Sequence, residues 1–340
     1  MRTRVCITID TEFSIGGAFG NAGREPVAEP LVWCNARGRS EGLGFMLDTF
    51  RQYGVQATFF VETVQRLYFR HDPMRPIAQK IRDEGHEVQL HTHPCWTLFE
   101  HEDWRERARQ ARRPDDFFGR SEADSVRLLE QGIATFRDWG VDKPKAFRSG
   151  NLQHDANLYK ALKAVGIPYS SNIAAGVFQS GDPQYKLYSG QHLLEGVVEC
   201  PVLTFADWRF AGKTHLKALT IAGTSFRETR ILLEKARAAG IPMVVILTHP
   251  FEYVRSRDVS FTHLRRQYVT QRRLVKLCQY LQHNSEHFDA CGFAHALDAN
   301  AKTSARNELL DVPLWHSVPR MAEQVIYDKY SGWALGRAAS

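Results

Sequence analysis

The first strand-like stretch, residues 4–12, reads Arg4-Val5-Cys6-Ile7-Thr8-Ile9-Asp10-Thr11-Glu12 and closes an apolar run with two carboxylates. Four later stretches also follow apolar runs and carry polar groups: Leu90-His91-Thr92-His93-Pro94, Phe147-Arg148-Ser149-Gly150-Asn151, Ala206-Asp207-Trp208 and Leu247-Thr248-His249-Pro250. The catalytic groups of a barrel of parallel strands lie at the C-terminal ends of those strands. The order therefore predicts one site that is assembled from successive strand ends.

Short runs rich in Val, Ile and Phe alternate with longer helical patterns along most of the chain. The pattern predicts strands at residues 4–10, 55–61, 86–91, 146–148, 168–171, 197–203, 243–248 and 290–294. It predicts helices at residues 41–53, 76–84, 122–139, 155–165, 225–239 and 264–283. Several helices end at a glycine that a strand soon follows, as in Tyr53-Gly54-Val55. This rhythm predicts an α/β fold and favours a barrel over an open parallel sheet.

The strand and helix rhythm also suggests how the chain divides. We expect residues 1–298 to form one barrel and residues 299–340 to form a C-terminal tail extension that packs on it or mediates association. Residues 13–40 interrupt the rhythm as a glycine-rich insertion, and a flexible loop at the barrel mouth is favoured over a phosphate-binding loop because no Walker pattern is present. Residues 95–120 mix both charges and indicate either a solvated helix face or a lid over an anionic substrate group.

Composition restricts the classes of protein to consider. The 340 residues are 43% hydrophobic, enough for one large domain or two ordinary ones. The net charge of +6 is mild and no Lys/Arg block is present, which argues against a nucleic-acid partner. Six cysteines without a C-x-x-C pair indicate reduced, buried thiols. The absence of a signal-peptide pattern and of an apolar run long enough to span a membrane predicts a cytoplasmic protein.

Two pairs of polar residues have the spacing of a metal or acid–base site. Asp10 and Glu12 are two residues apart, so on an extended strand end their side chains point to the same side. Two neighbouring carboxylates repel each other unless a cation or a division of roles separates them. His91 and His93 have the same spacing and form a good start for a zinc-type site. The alternative for the acids is a capping role, and an isolated H-x-H pair is a weak signal.

Three further strand ends carry candidate functional groups. Arg148 offers a permanently charged fork that could orient Asp10 and keep it ionised, or it forms a surface ion pair. His249 ends the most hydrophobic strand, where it is placed for proton transfer or is a core histidine with satisfied hydrogen bonds. Asp207 could hydrogen-bond a histidine and Trp208 could wall a sugar-sized pocket; a loop aspartate beside a core tryptophan is the alternative.

Five motifs in this order resemble those of a known family. They are Asp10-x-Glu12, Gly85-His86-Glu87-Val88-x-x-His91-x-His93-Pro94, Phe147-Arg148-x-Gly150, Asp207-Trp208 and Leu247-x-His249-Pro250. The set resembles the polysaccharide deacetylases, the NodB-homology carbohydrate esterases, in a divergent branch with an HxHP second motif, over residues 4–298. The resemblance implies a distorted (β/α) barrel and metal-dependent removal of an N- or O-acyl group from a carbohydrate.

The resemblance also implies roles for the residues of the first three motifs. Asp10 matches the catalytic base, and Arg148 matches the arginine that positions this base. Glu12, His91 and His93 match the ligands of a divalent metal ion, for which Zn²⁺ is favoured.

The last two motifs supply the acid side of the reaction. His249 matches the general acid, and Asp207 matches the acid that tunes this histidine. Trp208 and Asn151 are the candidate substrate-binding residues.

The chain departs from the family pattern in three places, one of which is the arginine motif, which lacks the usual nearby proline. Many members have two adjacent aspartates in the first motif, whereas Thr11 stands beside Asp10 here, so Glu12 must be the metal carboxylate. Many members also have H-x-x-x-H in the second motif, whereas His93 comes two residues after His91 and Cys95 occupies the fourth position.

The sequence therefore predicts a metal-dependent hydrolase that removes an acyl group, such as acetyl, from a carbohydrate or a sugar precursor. A deformylase or a cyclic-amide hydrolase on the same barrel is a second hypothesis. A non-catalytic relative that binds a glycan is a third.

Overall fold

The computed structural model describes residues 2–210, 212–299 and 306–313. The strands are β1 Thr3–Thr11, β2 Asn35–Ala36, β3 Arg39–Ser40, β4 Thr58–Glu62, β5 Glu87–Thr92, β6 Ala146–Ser149, β7 Tyr169–Ser170, β8 His192–Leu194, β9 Val197–Glu199, β10 Thr204–Phe210, β11 Lys213–Ala218, β12 Met243–Thr248, β13 Val254–Ser256, β14 Leu264–Arg266, β15 Phe288–Ala290 and β16 Leu310–Asp311. The α-helices are α1 Pro30–Trp33, α2 Leu43–Tyr53, α3 Met74–Asp83, α4 Trp104–Gln110, α5 Glu122–Trp139, α6 Ala156–Val165, α7 Phe226–Ala238, α8 Tyr268–His283 and α9 Phe293–Ala299. Short 3₁₀ turns cover Val64–Leu67, Pro94–Glu100, Gly150–Leu152, Pro183–Tyr185 and Pro250–Tyr253.

The main sheet is a curled half-barrel of parallel strands. Its order is β12-β1-β4-β5-β6-β7-β9, and β8 pairs antiparallel with β9 at the end. After β9 the chain turns back, and Val202 forms a parallel bridge with Val245 of β12. The prediction of an α/β barrel of the distorted type is therefore confirmed.

Side chains of the parallel strands alternate between two cores. Ile7, Phe59 and Val61 belong to the large core that the sheet shares with the helices. Cys6 and Phe60 belong to a smaller core inside the half-barrel. Because alternate residues face opposite sides of a strand, each acid or histidine of an i, i+2 pair faces the same side as its partner.

The strands expected over residues 4–10, 55–61, 86–91, 146–148, 168–171 and 243–248 form within three residues of their predicted bounds. The strand expected over residues 197–203 ends at Glu199, and residues 200–203 connect it to β10, which begins at Thr204. The last predicted strand is wrong. A strand was expected over residues 290–294, but β15 ends at Ala290 and α9 begins at Phe293. The carboxylate of Glu87 accepts hydrogen bonds from the backbone N–H groups of Ala294 (3.0 Å) and His295 (2.8 Å). A carboxylate at these donors stabilises the first turn of a helix, so the chain turns out of the sheet here.

The predicted helices form with shifts of a few residues at their ends. Ser121, Asp155 and Ser225 cap α5, α6 and α7 by accepting a hydrogen bond from a backbone N–H group. Gly54 and Gly140 follow α2 and α5 with φ of 64° and 68°, the left-handed conformation that ends a helix. The helix expected from residue 264 begins at residue 268, because residues 264–266 form β14 and pair with β13.

The two insertions contact each other above the sheet. Glu25 of the first insertion pairs with Arg105 of the second at 2.6 Å and also accepts a hydrogen bond from Tyr68. Phe19 packs against Trp104, with ring centroids 6.2 Å apart. The first insertion therefore packs against the second and is not an isolated loop.

The described part of the predicted tail packs on the barrel. Leu310 and Asp311 form β16, which pairs parallel with β10, and the backbone N–H of Glu308 donates to Ser189 at 2.9 Å. Residues 300–305 and 314–340 of the predicted tail lie outside the described residues. All six cysteines are buried free thiols. Among the described residues, no helix has the length and apolar character needed to cross a membrane.

Candidate active site and metal centre

The strand ends bring Glu12, His91 and His93 together. Oε2 of Glu12 lies 2.9 Å from Nε2 of His91 and 2.7 Å from Nε2 of His93. One ligand atom from each of the three residues falls within 4.8 Å of the others. His91 is buried, and the other two side chains are about 15% exposed. The carboxylate and imidazoles that the sequence predicted as metal ligands are thus neighbours.

The second ring nitrogen of each histidine has a hydrogen-bond acceptor. Nδ1 of His91 lies 2.8 Å from the carbonyl oxygen of Arg148, and Nδ1 of His93 lies 2.6 Å from Oδ2 of Asp115. Both partners accept, so Nδ1 carries the proton in each neutral ring and Nε2 keeps its lone pair for a cation.

The charges around this cluster shift two pKa values in opposite directions. Burial alone raises the pKa of Glu12, but the charges and hydrogen bonds of His93 and His91 outweigh it and hold the pKa well below its usual range. Burial alone lowers the pKa of His93, but Asp115 and Glu12 outweigh it and raise the pKa well above its usual range. Negative charge therefore dominates the surroundings of the His93 imidazole.

This donor set fits a divalent cation. One carboxylate and two imidazoles are a common protein contribution to a catalytic zinc site, and further positions stay available for water and substrate. Partners on the outer nitrogen of each imidazole are a regular feature of such sites because they fix the tautomer. Glu12, His91 and His93 would hold the ion.

Asp10 forms a buried ion pair with Arg148 next to this cluster. Nη1 of Arg148 donates to Oδ1 of Asp10 at 2.7 Å and to Oγ1 of Thr8 at 2.9 Å. Nε and Nη2 donate to the carbonyl and hydroxyl oxygens of Ser171, and the guanidinium lies over the ring of Phe60. Arg148 is fully buried, so the surface ion pair that the sequence left open is wrong. The arginine holds Asp10 in one orientation through this ion pair.

His249 faces Asp10 across the site. Nε2 of His249 lies 3.9 Å from Oδ2 of Asp10, and Nδ1 lies 3.3 Å from Oε1 of Glu252. Burial lowers the pKa of His249, but Glu252, followed by Asp10 and Glu12, outweighs it and raises the pKa to about 9. The imidazole is therefore protonated at neutral pH and suited to donate a proton.

The carboxylate beside His249 is not the one that the motifs assigned. Glu252 occupies Nδ1 of His249, whereas the carboxylate of Asp207 lies 3.4 Å from Nδ1 of His215. A bulge in β10 between Ala206 and Trp208 aims Asp207 toward β11, the strand that carries His215. In this structure the carboxylate in contact with Nδ1 of His249 is that of Glu252, and the tuning role of Asp207 stays a prediction.

The two candidate substrate residues lie in different surroundings. Trp208 is partly exposed and stacks on His215, with ring centroids 5.3 Å apart and planes 10° apart. Asn151 is exposed, and its Nδ2 donates to Oδ2 of Asp115 at 2.6 Å. Trp208 offers an aromatic face, while Asn151 already has a partner inside the protein.

Three acidic residues of the site were not predicted from the sequence. Glu62 is fully buried at the end of β4 and accepts hydrogen bonds from the backbone N–H groups of Thr63, Val64 and His93. It follows a predicted strand, so the strand-end rule could have found it. Glu252 comes three residues after His249, a spacing typical of a capping turn. Asp115 lies in a loop of mixed charge, where no local signal distinguishes it.

One comparison with known protein families finds a match for part of the chain. Residues 38–170, which contain His91, His93 and Arg148, match the sequence model of the family described as polysaccharide deacetylase. Asp10, Glu12 and later strand ends lie outside the matched segment. A comparison with curated proteins finds no significant match.

Solved structures resemble the whole chain at low identity. A candidate polysaccharide deacetylase from Mycobacterium smegmatis is 15% identical, with a TM-score of 0.51 over 90% of this chain and 95% of that one. A family 4 carbohydrate esterase from Streptomyces lividans, solved with acetate, is 14% identical, with a TM-score of 0.42 over 91% and 98%. A family 4 acetyl xylan esterase from Clostridium thermocellum, solved with cobalt, is 15% identical, with a TM-score of 0.42 over 91% and 98%. Residues 38–170 are thus similar in sequence to the polysaccharide deacetylases, and the chain shares the fold of the Mycobacterium smegmatis structure.

Proposed function

We propose that the protein is a metal-dependent hydrolase that removes an N- or O-acyl group, such as acetyl, from a carbohydrate or a sugar precursor. One observation carries the proposal. A buried aspartate and a histidine whose pKa is raised to about 9 face each other, with Nε2 of the histidine 3.9 Å from Oδ2 of the aspartate, beside a cluster of one carboxylate and two imidazoles. Acyl hydrolysis needs a base, an acid and an electrophile in such proximity.

Glu12, His91 and His93 are the proposed ligands of the cation. A divalent ion, Zn²⁺ in our proposal, supplies a Lewis acid that polarises the acyl carbonyl and lowers the pKa of water. The hydrogen bonds at Nδ1 of both histidines would leave the Nε2 lone pairs available for this ion.

Asp10 is the proposed base. Arg148 holds one of its carboxylate oxygens through a 2.7 Å hydrogen bond, and the other oxygen faces His249. The ion pair fixes the orientation of the carboxylate, which would accept a proton from the attacking water. Arg148 itself keeps its proton, so it acts through the position of Asp10.

His249 is the proposed acid. With a pKa of about 9 the imidazole carries both protons at neutral pH. Glu252 accepts a hydrogen bond from the Nδ1–H group of His249. The Nε2–H group is then the one that protonates the departing amine or hydroxyl. Asp10 would accept one proton and His249 would donate one in each turnover, so the number of protons on the two residues together does not change.

Trp208 is the proposed sugar platform. Its ring is partly exposed and is held in place by stacking on His215. Aromatic faces present a large apolar area with few rotatable bonds, which suits contact with the apolar face of a pyranose. Asn151 stays a candidate substrate contact, although its amide group is already bonded to Asp115.

The test is release of acetate from N-acetylated and O-acetylated sugars by the full chain, with and without a metal chelator. We expect release that the chelator abolishes and that added Zn²⁺ restores. Asp48 is exposed on α2 and offers a matched control, so Asp48→Asn should be fully active while Asp10→Asn is not. Equal release with and without chelator would remove the metal from the proposal. Release of formate, or opening of a cyclic amide, in place of acetate release would favour the second hypothesis.

A further inference from the structure

Asp115 reaches the metal cluster from the second insertion. Its Oδ2 accepts hydrogen bonds from Nδ1 of His93 and from Nδ2 of Asn151, both at 2.6 Å. Its Oδ1 accepts a longer one, at 3.3 Å, from the backbone N–H of Cys95. Three donors therefore converge on this carboxylate, and one of them is the outer nitrogen of a proposed metal ligand.

The turn after β6 is shaped around this pair. A Cβ atom at Gly150 would lie 2.5 Å from Nδ1 of His93, so only glycine leaves room for the imidazole. Asn151 has φ of 54° and ψ of 15°, a left-handed conformation that asparagine adopts more readily than most residues. This conformation accompanies the hydrogen bond from its amide group to Asp115. The backbone observations are independent of the side-chain hydrogen bond to His93 and point to the same contact.

We propose that Asp115 is a positioning residue that fixes the orientation and tautomer of His93, and that Asn151 holds Asp115 in place. The inference rests on the metal site of the proposed function. His91 needs no such residue, because a main-chain carbonyl of the neighbouring strand already accepts its Nδ1 proton. His93 lies one residue beyond the end of β5, where the sheet offers no equivalent carbonyl among its hydrogen-bond partners in the described structure.

A competing role for Asp115 is that of a metal ligand. Single ligand atoms of His93, Cys95 and Asp115 lie within 4.8 Å of one another. An ion bound there would require loss of the Nδ1 proton of His93 and of the thiol proton of Cys95. Both oxygens of Asp115 are already occupied by hydrogen-bond donors, so the contacts favour the positioning role.

The experiment measures the affinity of the full chain for Zn²⁺ by competition with a chromophoric chelator, which needs no substrate. Asp115→Ala should weaken binding by about 10- to 100-fold, as expected for loss of an outer-sphere partner of a ligating histidine. Asp115→Asn keeps a carbonyl acceptor for Nδ1 and should weaken binding less. Asn151→Gly removes the hydrogen bond from Asn151 to Asp115, and glycine tolerates the left-handed backbone. A few-fold loss of zinc affinity is therefore expected.

Asp116 provides the matched control. It is the next residue and pairs with Arg113, which is mostly exposed, so Asp116→Asn removes one negative charge from the same loop without touching His93. Zinc affinity should stay at the wild-type value. Thermal unfolding of the metal-free variants checks the fold, and Asn151→Gly carries the test if Asp115→Ala does not fold.

The outcomes separate this inference from the proposed function. Wild-type affinity in Asp115→Ala overturns the positioning role, as does an equal loss in Asp116→Asn. Binding of two Co²⁺ equivalents with a thiolate-to-cobalt charge-transfer band also overturns it and makes Cys95 and Asp115 ligands. A wild-type chain that binds no metal overturns both ideas. Tight binding that depends on Asp115, without acetate release, supports the positioning role and rejects the deacetylase.

Discussion

His91 and His93 contact the same carboxylate, yet different parts of the molecule hold them. A main-chain carbonyl of the adjacent strand accepts the Nδ1 proton of His91, whereas a side chain from an inserted loop accepts that of His93. The strand-held ligand is fixed by sheet register, with His91 paired to Arg148. The loop-held ligand, His93, depends on the carboxylate of Asp115 and on the Asn151 amide that donates to it.

The acid–base pair shows the same division. Asp10 belongs to the strand-held half, because Arg148 reaches it from β6 and is itself anchored to Ser171 beyond β7. His249 belongs to the loop-held half, because its partner Glu252 lies in the short turn that follows β12. We therefore expect changes in the strand-held half to stop chemistry or weaken the fold, and changes in the loop-held half to tune affinity and pH dependence.

The largest effect is expected for Asp10→Asn. Loss of the base should lower the rate of acyl release by about 10²- to 10⁴-fold. Arg148 keeps its bonds to Thr8 and Ser171, and the amide oxygen can still accept one, so the fold and the zinc affinity should persist. Steady-state kinetics and the chelator competition measure the two quantities. A loss of zinc affinity as large as the loss of rate would make Asp10 a metal ligand and contradict its role as base.

Glu62→Gln tests the strand-held half through stability. Glu62 accepts hydrogen bonds from three backbone N–H groups, one of them that of His93. Glutamine offers a single acceptor oxygen and places an amide group against the remaining donors, so unfolding should become about 1–3 kcal/mol easier. Urea unfolding of the metal-free chain measures this change. Glu130→Gln, on an exposed position of α5, is the control and should leave the midpoint unchanged.

Glu252→Gln tests the loop-held half through pH. Glu252 helps to raise the pKa of His249 to about 9, and the acid is active only while protonated. The wild-type rate should therefore fall as the pH rises through about 9. Removal of the Glu252 charge lowers the pKa, so the fall should begin about one pH unit earlier. The pH profile of kcat measures the shift, and an unchanged profile would exclude Glu252 as the partner that matters.

The strand-end residues, including His93 and His249, could be predicted from the sequence, whereas the loop acids that contact these two histidines were not predicted. Asp10, His91 and Arg148 end apolar runs, and parallel strands bring their C-terminal ends to one edge, so local patterns are enough to group them. Asp115 could not be found this way, because its contact with His93 spans 22 residues and depends on how an insertion folds. The strand expected over residues 290–294 failed for a similar reason, since Glu87 caps the helix from more than 200 residues away.

Asp207→Asn is expected to have the smallest effect. It tests whether Asp207, as the motifs imply, or Glu252, as the contacts indicate, tunes the pKa of His249. The motifs assign Asp207 to His249, whereas the structure places its carboxylate 3.4 Å from His215 and places Glu252 at His249. If Glu252 is the tuning acid, Asp207→Asn should move the alkaline limit of kcat by no more than a few tenths of a pH unit, while the loss of contact with the Trp208–His215 stack raises KM. A shift as large as that of Glu252→Gln would return the tuning role to Asp207. A change in KM alone would indicate that Asp207 and Trp208 contribute to substrate binding. Glu252 would then be the residue that affects proton donation by His249.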